Sequence, residues 1–270
     1  MLNPIPVGTI LFLVLTAIAT GAENVIPPGK VVEFTAPLTP VLRKMAGDGR
    51  TSEFTEALAA VAVPDNFTPD RTWPVLVISA TSDPGYNSSR TNLRWFAAPA
   101  LKAGWVVIAA DPPRPVAAAD DSNGLRYALI VAAFARLREQ WPEVTRWPRA
   151  FGGISGGAKR SAWLAAISAL EGYRPLGVLQ AGCNQPVLLD ALDAYHPNRA
   201  QFLATPVFLS SGRSDPIATP EQMQHVEVDL QKAGFQHVRL ERFAGRHEVY
   251  ADHVEASLRW FLAVALAEKP

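Results

Sequence analysis

A chain of 270 residues, 49% hydrophobic and 19% charged, is long enough to bury a sizeable core and too apolar to be disordered. Its 25 Lys and Arg balance 25 Asp and Glu, which removes the basic excess that a nucleic-acid or anionic-membrane partner would need. One cysteine excludes an intramolecular disulfide and leaves a structural zinc site almost without sulfur.

Gly8 to Ala19 is an uncharged apolar run of twelve residues, the length of a signal-peptide h-region and short for a bilayer span. Small residues follow, with Ala17-Ile18-Ala19 and Thr20-Gly21-Ala22 as alternative cleavage sites. Residues 1–22 are therefore expected to be a signal peptide. Residues 23–270 would then be secreted or periplasmic, with no stable membrane anchor after cleavage.

The remaining chain alternates short β-branched runs with helical stretches. Glu53 to Val63 is expected to add antiparallel edge strands. Val75 to Ile78 is apolar at every position, as in a strand buried on both faces. Leu93 to Lys102 reads as a helix stopped by Gly104, and Trp105 to Ala109 as the next strand. A helix over Leu125 to Gln140, a strand over Arg149 to Ile154 and a helix over Ala158 to Leu170 follow. Leu176 to Gln180 and Val207 to Ser210 are strands, and about 25 residues between them leave room for one short helix but no large lid. Thr219 caps a helix over Pro220 to Ala233, before a strand over Val238 to Phe243 and a last helix over Asp252 to Ala267. The alternation predicts one α/β domain, a mostly parallel sheet with helices on both faces.

Gly153-Ile154-Ser155-Gly156-Gly157 fits G-x-S-x-G, and it falls where a predicted strand gives way to a predicted helix. That turn is strained and brings the two backbones together, so the residues two before and two after the serine must be small. Gly153 and Gly157 meet the demand. Ser155 then needs a base, because a serine hydroxyl is a poor nucleophile at neutral pH. Of five histidines, His225 and His237 are expected on the surface, His196 precedes Pro197 in a loop, and His253 opens the last helix. His247, in Gly245-Arg246-His247-Glu248, follows the last strand at the sheet edge where ligands gather in α/β folds. The carboxylate that would fix its tautomer is Asp215, just past the penultimate strand; Asp190, Asp193 and Asp111 are rivals, Asp111 reading better as a cap. The oxyanion would meet the backbone N–H of Gly156, and a second donor is placed at Thr81, with Ser82 or Tyr86 as alternatives.

The elbow, the order Ser155, Asp215, His247 and the stretches Trp73 to Val77, Gly104 to Val107 and Gly212 to Pro216 resemble the α/β-hydrolase superfamily over residues 50–268. Ser155-Gly156-Gly157 after Ile154 is similar to the secreted polyhydroxybutyrate depolymerase, feruloyl esterase and lipase-like esterase branch. The His-Gly common after the first parallel strand of that branch is replaced by Ser79-Ala80-Thr81. The resemblance implies an exported serine hydrolase acting on small-molecule or polymeric esters through an acyl-serine, with no metal or organic cofactor. A peptidase or amidase of the same fold is the alternative, and a non-catalytic binding protein a third reading. Leu188, Leu189, Tyr195 and Phe202 are expected to pack the connecting helix, although they are also candidates for an acyl pocket. Cys183 is expected to be a buried filler.

Overall fold

A computed structural model describes residues 26–268 of the protein. The expected signal peptide, residues 1–22, lies outside the described residues. Among these no helix is long and apolar enough to cross a membrane.

Eight strands form one sheet: β1 (Val31–Pro37), β2 (Glu56–Ala62), β3 (Val75–Ser79), β4 (Val106–Asp111), β5 (Arg149–Ile154), β6 (Gly177–Ala181), β7 (Val207–Gly212) and β8 (Val238–Phe243). Their spatial order is β1-β2-β4-β3-β5-β6-β7-β8. β2 runs antiparallel to β1 and to β4, and every other neighbouring pair is parallel. The antiparallel edge strands expected over Glu53 to Val63 are one antiparallel strand, β2, and it is not at the edge, because β1 pairs along its outer side. Its partner β1 was not anticipated from the sequence: most of its side chains are half-buried or exposed, so its apolar signal is weak.

The central strands are apolar throughout because they are covered on both faces. Val75 and Val77 of β3 join one hydrophobic cluster, while Leu76 and Ile78 join the other. The first cluster is completed by α1 (Pro40–Ala46), α3 (Asn123–Leu137), α4 (Gly156–Leu170), α5 (Val187–Tyr195) and α7 (Pro220–Lys232). The second is completed by α2 (Ser89–Lys102) and α8 (Ala251–Ala267), which bring Phe96 and Phe261 to the sheet. Phe261 rests on Gly177, where a β-carbon would collide with its ring. Burying a side chain of this size contributes roughly 1.5–3 kcal/mol.

Helix starts follow capping chemistry. Thr39, Ser88, Ser122 and Thr219 each accept a backbone N–H from the first turn, and Thr219 with Gln222 forms a capping box. The stretch between β6 and β7 differs from expectation. It holds two short helices, α5 and α6 (Arg199–Leu203), in place of one. Asn198 caps α6, and the left-handed His196 breaks the chain from α5. No large lid is built there.

One buried polar contact pins α8. His253 Nδ1 lies 2.8 Å from Ser210 Oγ on β7, and its Nε2 lies 3.5 Å from Glu241 Oε2 on β8. Burial pulls the imidazole pKa below its ordinary value, more than the nearby Glu241 raises it. The unfolded chain therefore takes up a proton that the folded one resists, and stability contributed by neutral His253 is lost as pH falls below about 6.5. Urea unfolding at pH 7.5 and 5.5 should show a larger drop in midpoint for the native protein than for His253→Asn. Equal drops would refute the assignment.

Candidate active site

The sharpest backbone feature lies between β5 and α4. Ser155 has φ +56° and ψ −123°, a region that non-glycine residues occupy only at a cost of about 1–3 kcal/mol. The strain has a visible cause. A β-carbon on Gly153 would sit 2.5 Å from the carbonyl carbon of Gly157, and one on Gly157 would strike the Ser79 carbonyl. With the strand and helix backbones in direct contact, the chain can turn only by forcing Ser155 into this conformation. Ser155 N–H is held by Ala181 O at 2.9 Å, and Ser155 O accepts the Lys159 N–H at 3.1 Å.

Asp215 and His247 lie side by side. Asp215 Oδ2 lies 2.8 Å from His247 Nδ1, and Asp215 Oδ1 accepts the N–H groups of Ile217 (2.8 Å) and Ala218 (2.9 Å). The Asp215 side chain is almost wholly buried. An ionised carboxylate only accepts, so the proton on this contact belongs to Nδ1 and the lone pair of His247 Nε2 is left free. The two loops that carry these residues are joined. Arg213 N–H donates to Phe243 O and Ser214 N–H to Gly245 O, both at 2.9 Å.

Ser155 and His247 flank the same turn after β6. Ala181 holds the Ser155 amide, and the next residue, Gly182 (φ +54°), lies directly beneath the imidazole. A β-carbon there would be 2.7 Å from His247 Cε1 and 2.9 Å from Nδ1. Among the described residues Ser155 Oγ makes no hydrogen bond to His247.

The other candidates are accounted for elsewhere. Asp190 and Asp193 are exposed on α5. Asp111 is a cap: it accepts the N–H groups of Ser89 (2.7 Å) and Arg90 (3.0 Å) at the start of α2 and pairs with Arg126 at 2.7 Å. His196 and His225 are exposed, and His237 lies 3.3 Å from Glu268. Cys183 is fully buried, which pushes its thiol pKa up to about 11.

Thr81 lies against Gly156, where a β-carbon would be 2.6 Å from Thr81 Cβ. Neither the Gly156 nor the Thr81 N–H has an acceptor among the described residues. Tyr86 N–H is taken by Asp83 O at 3.0 Å. Beside this pair opens a cavity of 560 Å³, whose wall includes Lys159, Trp163, Tyr195, Asp48 and Asn123. Tyr195 meets Trp163 edge-on at 5.8 Å, so it serves both the wall and the packing of α5. Leu188 and Phe202 are core residues, and Leu189 packs against the core half-buried.

A cluster that the sequence reading did not single out stands behind Thr81. Arg126 pairs with Asp111 and Asp121, and Arg160 with Asp121 at 3.0 Å. All four side chains are buried. Burial alone would raise the Asp121 pKa, but the hydrogen bonds and charges of Arg126 and Arg160 outweigh it and hold the carboxyl below its usual range. The available sequence signal was weak, since α3 also carries Arg136 and α4 also carries Lys159, so neither Arg126 nor Arg160 stood alone.

The eight-stranded, mostly parallel sheet has solved counterparts. The chain aligns over 92% of its length with all of XC6422 from Xanthomonas campestris, described as an α/β serine hydrolase without lid (TM-score 0.57, 17% identity). The fold is that of the α/β hydrolases. A hyperthermophilic esterase from Pyrobaculum calidifontis matches at TM-score 0.56 and 15% identity, over 90% of this chain and 85% of its own. A ferulic acid esterase matches at 0.58 and 12%, over 87% and 98%. No family model and no curated protein matches the sequence.

Within this α/β-hydrolase fold the contact at Gly182 is directly testable. Gly182→Ala should displace the imidazole and open the Asp215–His247 bond, removing the low-field Nδ1 proton signal in NMR. Gly172→Ala, also at positive φ (+87°) but with nothing within 4 Å, should lower stability and leave a signal of that kind intact. Retention of the signal in Gly182→Ala would contradict the geometry.

Proposed function

We propose that this protein is an exported serine hydrolase that cleaves carboxylic esters through an acyl-serine intermediate. The observation that carries the reading is the Asp215–His247 pair, fixed in one tautomer beside the turn that also holds the Ser155 amide. Ser155 Oγ attacks the ester carbonyl while His247 Nε2 takes its proton. Asp215 keeps the imidazole oriented and stabilises the imidazolium. The carbonyl oxygen, now anionic, is met by the Gly156 and Thr81 N–H groups, which have no other acceptor among the described residues. His247 returns the proton to the leaving alcohol. Water, deprotonated by the same nitrogen, then attacks the acyl carbon and releases the acid with Ser155 restored.

The cavity beside Gly156 is suited to the acyl group. Its wall carries Lys159, Asp48 and Asn123, with Trp163 and Tyr195 as the aromatic surface, and offers little to a long aliphatic chain. Esterase fold neighbours support ester hydrolysis in general terms, and the short α5–α6 connection fits an open site for soluble esters.

Ser155→Ala should lower ester hydrolysis by at least about 10³-fold without unfolding the protein, because the three residues act as a unit. On p-nitrophenyl esters the native enzyme should favour acyl chains of a few carbons over those of ten or more. Retention of a tenth of the activity by Ser155→Ala would place the nucleophile elsewhere, whereas no labelling of the native protein by a fluorophosphonate would leave a binding protein as the better reading. For the export part of the proposal, the protein isolated from its native host should begin near Thr20 or Glu23.

A further inference from the structure

Thr81 has no covalent reason to hold its N–H beside Gly156. It follows β3 in a loop, Thr81 to Ser88, most of which is exposed or half-buried. Two hydrogen bonds fix the residues on either side of it. Before it, Ala80 N–H donates to Ser89 Oγ at 3.2 Å, and Ser89 N–H in turn donates to Asp111 Oδ1. After it, Ser82 Oγ accepts from Arg160 Nη2.

These two anchor points belong to one network. Asp111 pairs with Arg126 Nη1 at 2.7 Å, and Arg126 Nη2 reaches Asp121 Oδ2 at 3.0 Å and Asn87 O at 2.8 Å. Asp121 Oδ2 and its carbonyl oxygen accept from Arg160 at 3.0 and 3.2 Å. Arg160 closes the ring on Ser82. The Thr81 peptide is thus clamped from both ends by a neutral cluster of two arginines and two aspartates. Arg160 stands on α4, the helix that Ser155 begins, so the clamp sets the loop against the same helix that supplies the Gly156 N–H.

We propose that Arg160 is a positioning residue for the oxyanion site: through Ser82 it holds the Thr81 N–H at the distance from Gly156 that a developing oxyanion requires. The inference rests on the ester-hydrolase reading above and on Thr81 as the second donor. Its chemistry is geometric. A planar guanidinium can bond Asp121 and Ser82 at once in fixed directions, whereas an ammonium in the same place cannot reproduce the fork. Ground-state binding barely uses the oxyanion site, so the effect of loosening it belongs in kcat and not in KM.

The test uses Ser82→Ala, which deletes only the hydroxyl that Arg160 holds, and Arg160→Lys, which keeps the charge beside Asp121. Active sites are counted by fluorophosphonate titration, so kcat refers to folded enzyme. Both variants should lose about 10- to 100-fold in kcat, below the ~10²–10³ that follows complete loss of an oxyanion donor. KM and the pH profile should stay unchanged. The Ki of an alkylboronic acid, which forms a tetrahedral adduct on serine, should rise by the same factor as kcat falls, while the Ki of the product carboxylate should not move. Unchanged kcat and boronate Ki in Ser82→Ala would overturn the inference even if Arg160→Lys fails to fold. A native enzyme that the boronate does not inhibit would instead overturn the serine-hydrolase reading itself, and this inference with it.

Discussion

β5, α4 and the turn after β3 approach one another too closely for side chains to intervene, and much of the site geometry follows from that approach. Gly153 faces the Gly157 carbonyl, Gly157 faces Ser79, and Gly156 faces Thr81, its missing β-carbon lying 3.2 Å from Thr81 Cα. Any one of these glycines replaced by alanine would force strand, helix and loop apart. Because they stay together, the chain must reverse within one residue, and that residue is Ser155 at φ +56°. Two consequences are local. The first N–H groups of α4 point out from its start with no side-chain cap on them, and Ser155 stands at the sheet edge.

The other half of the site is arranged by the opposite device, dense hydrogen bonding. Asp215 has both carboxylate oxygens engaged, one by His247 and one by two backbone N–H groups of its own turn. Its loop is laced to the His247 loop through Arg213 and Ser214, and Gly212 admits the Arg246 carbonyl where a β-carbon would not fit. The Asp215 and His247 loops are therefore tied together. The ring then rests on Gly182, so its position is bounded from below by a residue with no side chain. Packing fixes Ser155, and hydrogen bonds fix the Asp215–His247 pair.

These two devices differ in how far they can be read from a sequence. A strand apolar at every position, such as Val75 to Ile78, announces burial on both faces, and G-x-S-x-G announces its own steric requirement. Asp215 and His247 were legible because each directly follows a strand, at the edge where α/β folds collect ligands. β1 was not legible, since an edge strand with half-exposed side chains carries little periodic signal. Gly182 was not legible either. Its requirement comes from an imidazole 65 residues further along the chain, and nothing local marks it out among 18 glycines. Arg126 and Arg160 shared their helices with Arg136 and Lys159, and Asp121 lay just before α3, with no local indication of which would meet. The split of the β6–β7 connection into α5 and α6 depended on one left-handed residue, His196, which sequence periodicity does not register.

The buried cluster of two arginines and two aspartates is hard to explain by stability. Removing four charges from water costs several kcal/mol per ion after relaxation, and replacing such groups by packed apolar residues is often neutral or stabilising. The core around it had apolar residues in quantity, since the buried faces of α3 and α4 are mostly Ala, Leu and Ile. What an apolar cluster would lack is direction. Asp111 caps α2, Asp121 receives both arginines, and Arg126 holds the Asn87 carbonyl, so the network fixes the ends of β3, β4, α2, α3 and α4 at specified angles. These ends meet at the carboxyl edge of the sheet, beside Thr81 and Gly156. A fold that needed only cohesion would place leucines there, whereas ion pairs whose geometry admits one arrangement fix the angles at which these ends meet.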